Sequence, residues 1–167
     1  MLKKIFGITL LILSITVRSE AEEHASTNVG VEILKFGESE RLEKGQVTAT
    51  PGLIGGLTDV QKIRFVNEGS IIIPAVKGKG MAVVYKITGE PIGKEIVLDM
   101  RSIHPPILDP TSGKVSTTGN WFSKKTVGTQ SFRDYEFTEE WEVVAGEWIF
   151  EFWYEGKKLN SQKFIVN

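Results

Sequence analysis

Large apolar side chains alternate with polar ones near the C-terminus of the chain. In residues 148–154, a two-residue period separates an aromatic face from a face that carries glutamate. Aromatic residues favour extended chain, whereas a helix would scatter both sets around its axis. The pattern predicts a strand whose aromatic face is core, while Trp153 shares the other face with glutamates. The aromatic face consists of Trp148, Phe150, Phe152 and Tyr154.

Short apolar runs separated by turn residues fill the chain from Gly30 onward. A polar turn at 155–158 predicts that residues 159–166 return as a hairpin partner. No run has a convincing helical period, and Gly and Pro mark the boundaries. The organisation predicts an antiparallel, immunoglobulin-like β-sandwich over residues 30–167, with a β-barrel as the alternative. The predicted strands are 31–36, 46–50, 60–66, 70–76, 81–88, 95–101, 115–122, 131–137, 147–154 and 159–166.

Two connections between the predicted strands are longer than a tight turn. Residues 51–59, "PGLIGGLTD", are rich in glycine but lack the spacing of a phosphate-binding loop, so we expect a mobile loop. Residues 104–113, "HPPILDPTSG", contain three prolines, which remove backbone donors. We therefore expect a stiff, protruding turn there.

The N-terminus has the layout of a secretory signal peptide. Lys3 and Lys4 precede an apolar run over 5–17, and small residues near Ala21 suit cleavage between Ala21 and Glu22. An uncleaved anchor is the alternative, but a spanning helix needs about 20 apolar residues. Residues 1–21 are thus the expected signal peptide and 22–29 a flexible leader.

The composition indicates a bacterial periplasmic or secreted protein. The chain has no cysteine, and therefore neither a disulfide framework nor a thiol for a lipid anchor. We expect no stable membrane anchor after signal cleavage. The formal charge is −1 at pH 7 and no basic stripe is present, which gives no electrostatic basis for binding nucleic acid.

Catalytic signatures are missing from the sequence. With two histidines, no cysteine and no GxSxG motif, nucleophilic catalysis and a zinc site are both hard to build, and no cofactor is expected. Acidic residues crowd "DYEFTEEWE" at 134–142 without the spacing of a calcium loop, and a solvated strand edge is the simpler interpretation.

A few residues remain as candidates for ligand contact. His104, Pro105 and Pro106 could orient a ligand or simply cap their loop. Trp121 follows "TTGN" in polar surroundings, where it could stack on a sugar, anchor a partner or plug one open end of the sandwich. Trp153, on the face with glutamates, is the fifth candidate for binding.

The C-terminal half carries a family resemblance. "IHPPILDP", "YEFTEEWEVVAGEWIFEFWYEGKKL" and "FIVN" together resemble the bacterial domain-of-unknown-function family 3859, with Ala145 where the family usually has proline. The resemblance covers about residues 30–167 and implies an exported immunoglobulin-like domain with no established activity. The matching positions are His104, Pro105, Pro106, Trp141, Gly146, Glu147, Trp148, Phe150, Glu151, Trp153, Gly156 and Leu159.

Together these features predict an exported, non-catalytic binding or interaction module. Loops at one end of the sandwich would contact an unknown protein or glycan partner in the cell envelope. Three alternatives stay open: a carbohydrate-binding module, a structural component of an envelope assembly and a carboxylate-based hydrolase.

Overall fold

The computed structural model describes residues 28–43 and 45–167, and within them nearly all regular structure is extended. The predicted signal peptide, the cleavage site at Ala21 and Glu22 and the leader up to residue 27 lie outside the described residues. The strands are β1 (Val29–Arg41), β2 (Val47–Thr48), β3 (Leu57–Thr58), β4 (Ile63–Glu68), β5 (Ile72–Ile73), β6 (Gly80–Gly89), β7 (Glu95–Leu108), β8 (Val115–Thr126), β9 (Gln130–Glu136), β10 (Gly146–Tyr154) and β11 (Lys157–Val166), with a 3-10 turn at Glu140–Glu142.

Two open sheets pack face to face, as an immunoglobulin-like sandwich requires. The first has the order β4-β1-β6-β9 and the second the order β5-β11-β10-β7-β8, while β2 and β3 form a small separate ladder. In the described ranges, every pairing except that of β5 with β11 is antiparallel. The sandwich prediction is confirmed, and the sheets of the described chain do not close into a barrel.

The core lies between the inner faces of the two sheets. Alternate residues of β6 point inward from the first sheet, and the aromatic face of β10 opposes them from the second. Tyr85 packs on Phe152 with ring centroids 4.6 Å apart, and Trp148 contacts both Tyr135 and Phe137. The predicted aromatic face is therefore core. Its fully buried members are Trp148, Phe150 and Phe152, and Tyr154 is half-buried.

The protruding turn predicted at 104–113 is wrong in its first half. His104, Pro105 and Pro106 lie within β7, and the turn follows that strand. The ladder with β8 breaks between Ile103 and Ile107, so the prolines sit where no backbone donor is needed. The two prolines, which have no amide donor, can thus stay in an extended strand because β8 does not pair with them there.

Replacement of a core ring should be costly. Phe150→Ala removes a side chain that is only 1% exposed, and we expect a loss of about 3–5 kcal/mol in the free energy of unfolding, measured by urea denaturation. Phe122→Ala is the control, because Phe122 is 70% exposed and should change stability by less than about 0.5 kcal/mol. Similar values for both variants would contradict the assignment of the inner face.

Candidate functional site

A cleft opens at the lateral edge of the sandwich, where the chain passes from one sheet to the other. β8 is an edge strand of the second sheet and β9 an edge strand of the first. Trp121 of β8 pairs with the buried Met100, and Ser131 of β9 pairs with the buried Tyr85. Because paired residues on neighbouring strands point to the same face of a sheet, Trp121 and Ser131 face inward. Alternation then gives two facing inner rows, which are Trp121, Ser123 and Lys125 on β8 and Ser131, Arg133 and Tyr135 on β9.

The segment 45–60, which we call the roof, covers this edge. Its two ends pair through β2 and β3, and its middle reaches the outer edge of β8, where the Asn120 amide donates to Gly52 O at 3.2 Å. Gly52 has φ of +86°, and a Cβ there would lie 2.8 Å from Asn120 O. Glycine is thus required by both backbone conformation and space. The segment predicted as a mobile loop is anchored at its base and at β8.

The roof encloses a cavity of about 550 Å³ between itself and the two edge strands. Leu53 and Ile54 of the roof, with Met100 and Trp121, supply apolar lining. The polar lining comes mainly from the inner rows of β8 and β9. A mixed lining of this kind, in a cavity of this size, is typical of small-molecule sites.

Arg133 is the buried cation of the cleft. It is 4% exposed, and its guanidinium carbon lies 4.7 Å from the ring centroid of Trp121 and 4.1 Å from that of Phe150. Nη1 donates to Arg101 O at 2.6 Å and to Glu151 O at 3.2 Å, both on the opposite sheet. Burial lowers the pKa of Arg133 to about 9, so the side chain stays protonated at pH 7. Nε is buried and has no hydrogen-bond partner among the described residues.

A second cation follows along the same edge. Lys125 Nζ donates to Ser131 Oγ at 2.9 Å, and desolvation by burial lowers the pKa of this lysine. Tyr85 Oη is buried nearby; it is close to Ser131 but forms no hydrogen bond of ordinary geometry with any described residue. Burial also raises the pKa of Tyr85, which keeps the hydroxyl protonated as a donor.

The acidic side chains around the cleft already have partners. Asp134 Oδ2 accepts from Arg41 Nε at 2.6 Å, and Glu136 Oε2 accepts from the Arg41 amide at 3.1 Å. Glu142 accepts from the Thr138 amide at 2.6 Å, the Thr138 hydroxyl, the Glu139 amide and Tyr135 Oη. These carboxylates stabilise β1, β9 and the 3-10 turn. The solvated edge expected at 134–142 is wrong for Glu136 and Glu142, which are buried because backbone amides need them.

Residues 28–43 and 45–167 contain no cluster of three or more His, Asp or Glu side chains that could hold a metal ion. No helix in that part of the chain has the length and hydrophobicity to cross a bilayer.

Of the residues predicted to bind, Trp121 lines the cleft. It is half-buried against the core and carries Arg133 on its ring, at the side of the sandwich rather than at an open end. The sequence interpretation overlooked Arg133. A signal was present, because two-residue alternation in "SFRDYEF" places Arg133 on the same face as Tyr135 and the buried Phe137.

The other predicted contact residues lie elsewhere. His104 stacks on Trp148 with ring centroids 4.9 Å apart, and neither it nor Pro105 or Pro106 is among the described residues that line the cleft. Trp153 lies on the outer face of the second sheet, where Arg101 covers its ring at 4.2 Å and Glu151 accepts from its Nε1 at 2.8 Å. Trp121 and Trp153 therefore lie on opposite faces of one sheet.

A comparison with known protein families matches residues 51–166 to the domain of unknown function DUF3859. The chain belongs to this family. The DUF3859 region includes most of the roof together with β8 and β9, so most of the cleft lies within it. No curated protein matches the sequence.

One solved structure supports the fold of the DUF3859 domain. An immunoglobulin-like protein from Pseudomonas aeruginosa superposes with a TM-score of 0.55 at 21% identity, over 86% of this chain and 99% of that chain. The alkylpurine DNA glycosylase AlkC of Pseudomonas fluorescens matches at a TM-score of 0.42 and 12% identity, over 83% of this chain and 30% of the glycosylase. A β-glucosidase from Listeria innocua matches at 0.39 and 8% identity, over 85% and 16% of the two chains. The first of these relatives identifies the fold alone.

Acidification should destabilise the DUF3859 domain through His104. Desolvation against Trp148 lowers the pKa of His104 below its usual 6.5, only partly offset by Pro105 O at 2.8 Å from Nδ1. Between those two pKa values the unfolded chain binds more protons, so the stability from neutral His104 is lost as pH falls below about 6.5. We expect the free energy of unfolding to fall between pH 7.5 and 5.5.

The contribution of His104 can be separated from that of other groups. His104→Phe keeps a ring against Trp148 but cannot titrate, so denaturation curves at the two pH values should lie closer together than in the wild type. His24→Gln, which alters the only other histidine, is the control and should leave the difference unchanged. An equal pH dependence in His104→Phe would show that His104 is not responsible.

Proposed function

We propose that the protein is an exported, non-catalytic binding domain that holds a small organic ligand in its lateral cleft. The observation that carries the proposal is the roofed cavity of about 550 Å³, with Trp121 on its wall and Arg133 on its floor. Ligand pockets typically occupy about 300–1,000 Å³ and combine apolar walls with a few polar groups, as this cleft does.

The roof supports a binding role. It comes from a connection between strands, whereas the walls belong to long strands held by the sheet ladders. A rigid frame with a covering loop is the usual division of labour in binding domains of this fold class. At the base of the roof, β2 and β3 form an antiparallel ladder that pairs Val47 with Thr58 and Thr48 with Leu57. This ladder holds the two ends of the roof together.

The alternatives receive less support from the geometry. A sugar platform made from Trp121 and Trp153 would require both rings on one face, and they lie on opposite faces. A carboxylate-based hydrolase would require two available acids, whereas Asp134, Glu136 and Glu142 each hold structural hydrogen bonds. A protein or glycan partner in the cell envelope stays a prediction.

Blocking the cleft should abolish ligand binding. Titration of a fragment library into ¹⁵N-labelled protein should shift amide resonances of β8, β9 and the roof. Ser123→Trp fills the cleft from the inner face of β8 and should remove those shifts. Lys124→Trp adds the same ring one residue away on the outer face, where the side chain is 76% exposed, and should bind as the wild type does.

The binding proposal has a clear contrary outcome. If fragments shift only resonances remote from the cleft, or if they bind Ser123→Trp as well as they bind Lys124→Trp, the cleft is not the binding site. Matching spectra of the two free variants outside the substituted region would show that both are folded.

Export is testable with the full chain. Expression in a Gram-negative host should give a periplasmic or secreted product whose N-terminal residue, determined by mass spectrometry, is Glu22. Ala21→Arg, which removes the small residue before the cleavage site, should retain the unprocessed chain. Intact, cytosolic wild-type protein would contradict export.

A further inference from the structure

We infer that the ligand of the lateral cleft carries a carboxylate group, bound at the corner where Lys125 and Arg133 approach Ser123. This inference rests on the proposed function and specifies the ligand class of the same site. It derives from the placement of donors and charges in the corner rather than from the size of the cavity.

The two strands bring both cations to one corner. Arg133 lies over Trp121, and Lys125 bonds to Ser131, so the inner rows of β8 and β9 face each other at both contacts. Ser123 occupies the inward position between Trp121 and Lys125, and it lines the cavity together with both of these residues. An acceptor group placed against Ser123 therefore has a cation on each side.

Neither cation forms a salt bridge with a described residue, although the charges of Asp134 and Glu151 act on Arg133 from a distance. Within the described part of the chain, Lys125 donates only to a serine hydroxyl, and Arg133 donates to two backbone carbonyls. The third cation of the lining, Arg41, differs because it is paired with Asp134 at 2.6 Å. Removing a cation from water is costly when no carboxylate lies directly against it, and a bound anion would offset that cost.

The same corner has hydrogen-bond donors in excess. Arg133 Nε is buried and has no hydrogen-bond partner among the described residues, and the buried Tyr85 Oη lies close to Ser131 but forms no hydrogen bond of ordinary geometry there. An unsatisfied buried donor destabilises the fold, and a ligand that accepts its hydrogen bond would remove that cost. A carboxylate supplies acceptors only, and its planar shape suits a guanidinium.

The charges favour a monoanion over a phosphate. The cavity is also lined by Asp59, Asp134, Glu136 and Glu142, and their negative charges would repel a dianion more strongly than a carboxylate. Trp121, Met100 and Leu53 leave an apolar wall beside the corner. The geometry thus fits a small carboxylic acid with an aromatic or aliphatic body.

Matched acids and amides test the charge directly. We would measure the affinity of the wild-type chain for benzoate, hexanoate and indole-3-acetate, and for benzamide, hexanamide and indole-3-acetamide, by NMR titration at pH 7. Because charge-assisted hydrogen bonds are stronger than neutral ones, we expect at least one acid to bind about tenfold more tightly than its amide, with shifts in β8 and β9. Phenyl phosphate should bind more weakly than benzoate.

Two substitutions assign the preference to the corner. Lys125→Met keeps the stem of the side chain but removes its charge, and it should reduce the preference for acid over amide by at least about threefold. Lys124→Met, on the outer face of the same strand, is the matched control and should leave the preference unchanged. Arg133→Met should reduce the preference further; if this variant fails to fold, Lys125→Met still provides the test.

The outcomes separate the ligand class from the site. Equal binding of acids and amides in the cleft would overturn the carboxylate inference and leave the proposed function standing. Tighter binding of phenyl phosphate would also overturn it. If no compound of either class shifts the cleft resonances, both the inference and the proposed function fail. An acid preference that survives in Lys125→Met and in folded Arg133→Met would place the anion elsewhere.

Discussion

One charged side chain links the two sheets across the core. Arg133 belongs to β9 of the first sheet, yet its guanidinium donates to backbone carbonyls of β7 and β10 in the second sheet and lies on Phe150 and Trp121. Aromatic faces attract a cation, and these contacts offset part of the cost of removing it from water. Along this edge the two sheets are thus joined by hydrogen bonds from a buried cation as well as by apolar packing.

The position of the cleft follows from that contact and from the topology. β8 and β9 are consecutive strands that belong to different sheets, so the chain crosses the sandwich between them and leaves a gap at the side. Arg133 forms the floor of this gap but leaves the cavity above it open, and the roof covers the opening. The cleft is therefore lateral, because the roof, and not the loops at the ends of the sandwich, covers the cavity.

Local periodicity was sufficient to predict most strands but not the site. The alternation over 148–154 predicts β10 and its buried face, and each predicted run overlaps an observed strand, whereas β3 lies in the segment predicted as a loop. His104, Pro105 and Pro106 were misplaced because a ladder break depends on the neighbouring strand, which local sequence does not show. Trp121 could be recognised as unusual, but its pairing with Arg133 depends on how two sheets face each other. Such a contact is fixed by tertiary packing alone.

The bond between Gly52 and Asn120 has a consequence for self-association. Asn120 lies on the outer edge of β8. An uncovered sheet edge has unpaired amides and carbonyls, which can pair with an extended segment of another molecule. The roof occupies part of that edge, and it does so with glycine, whose lack of a side chain permits the close approach. Without the roof this part of β8 would be a template for strand addition, so the segment that covers the cavity also protects the sheet edge against aggregation.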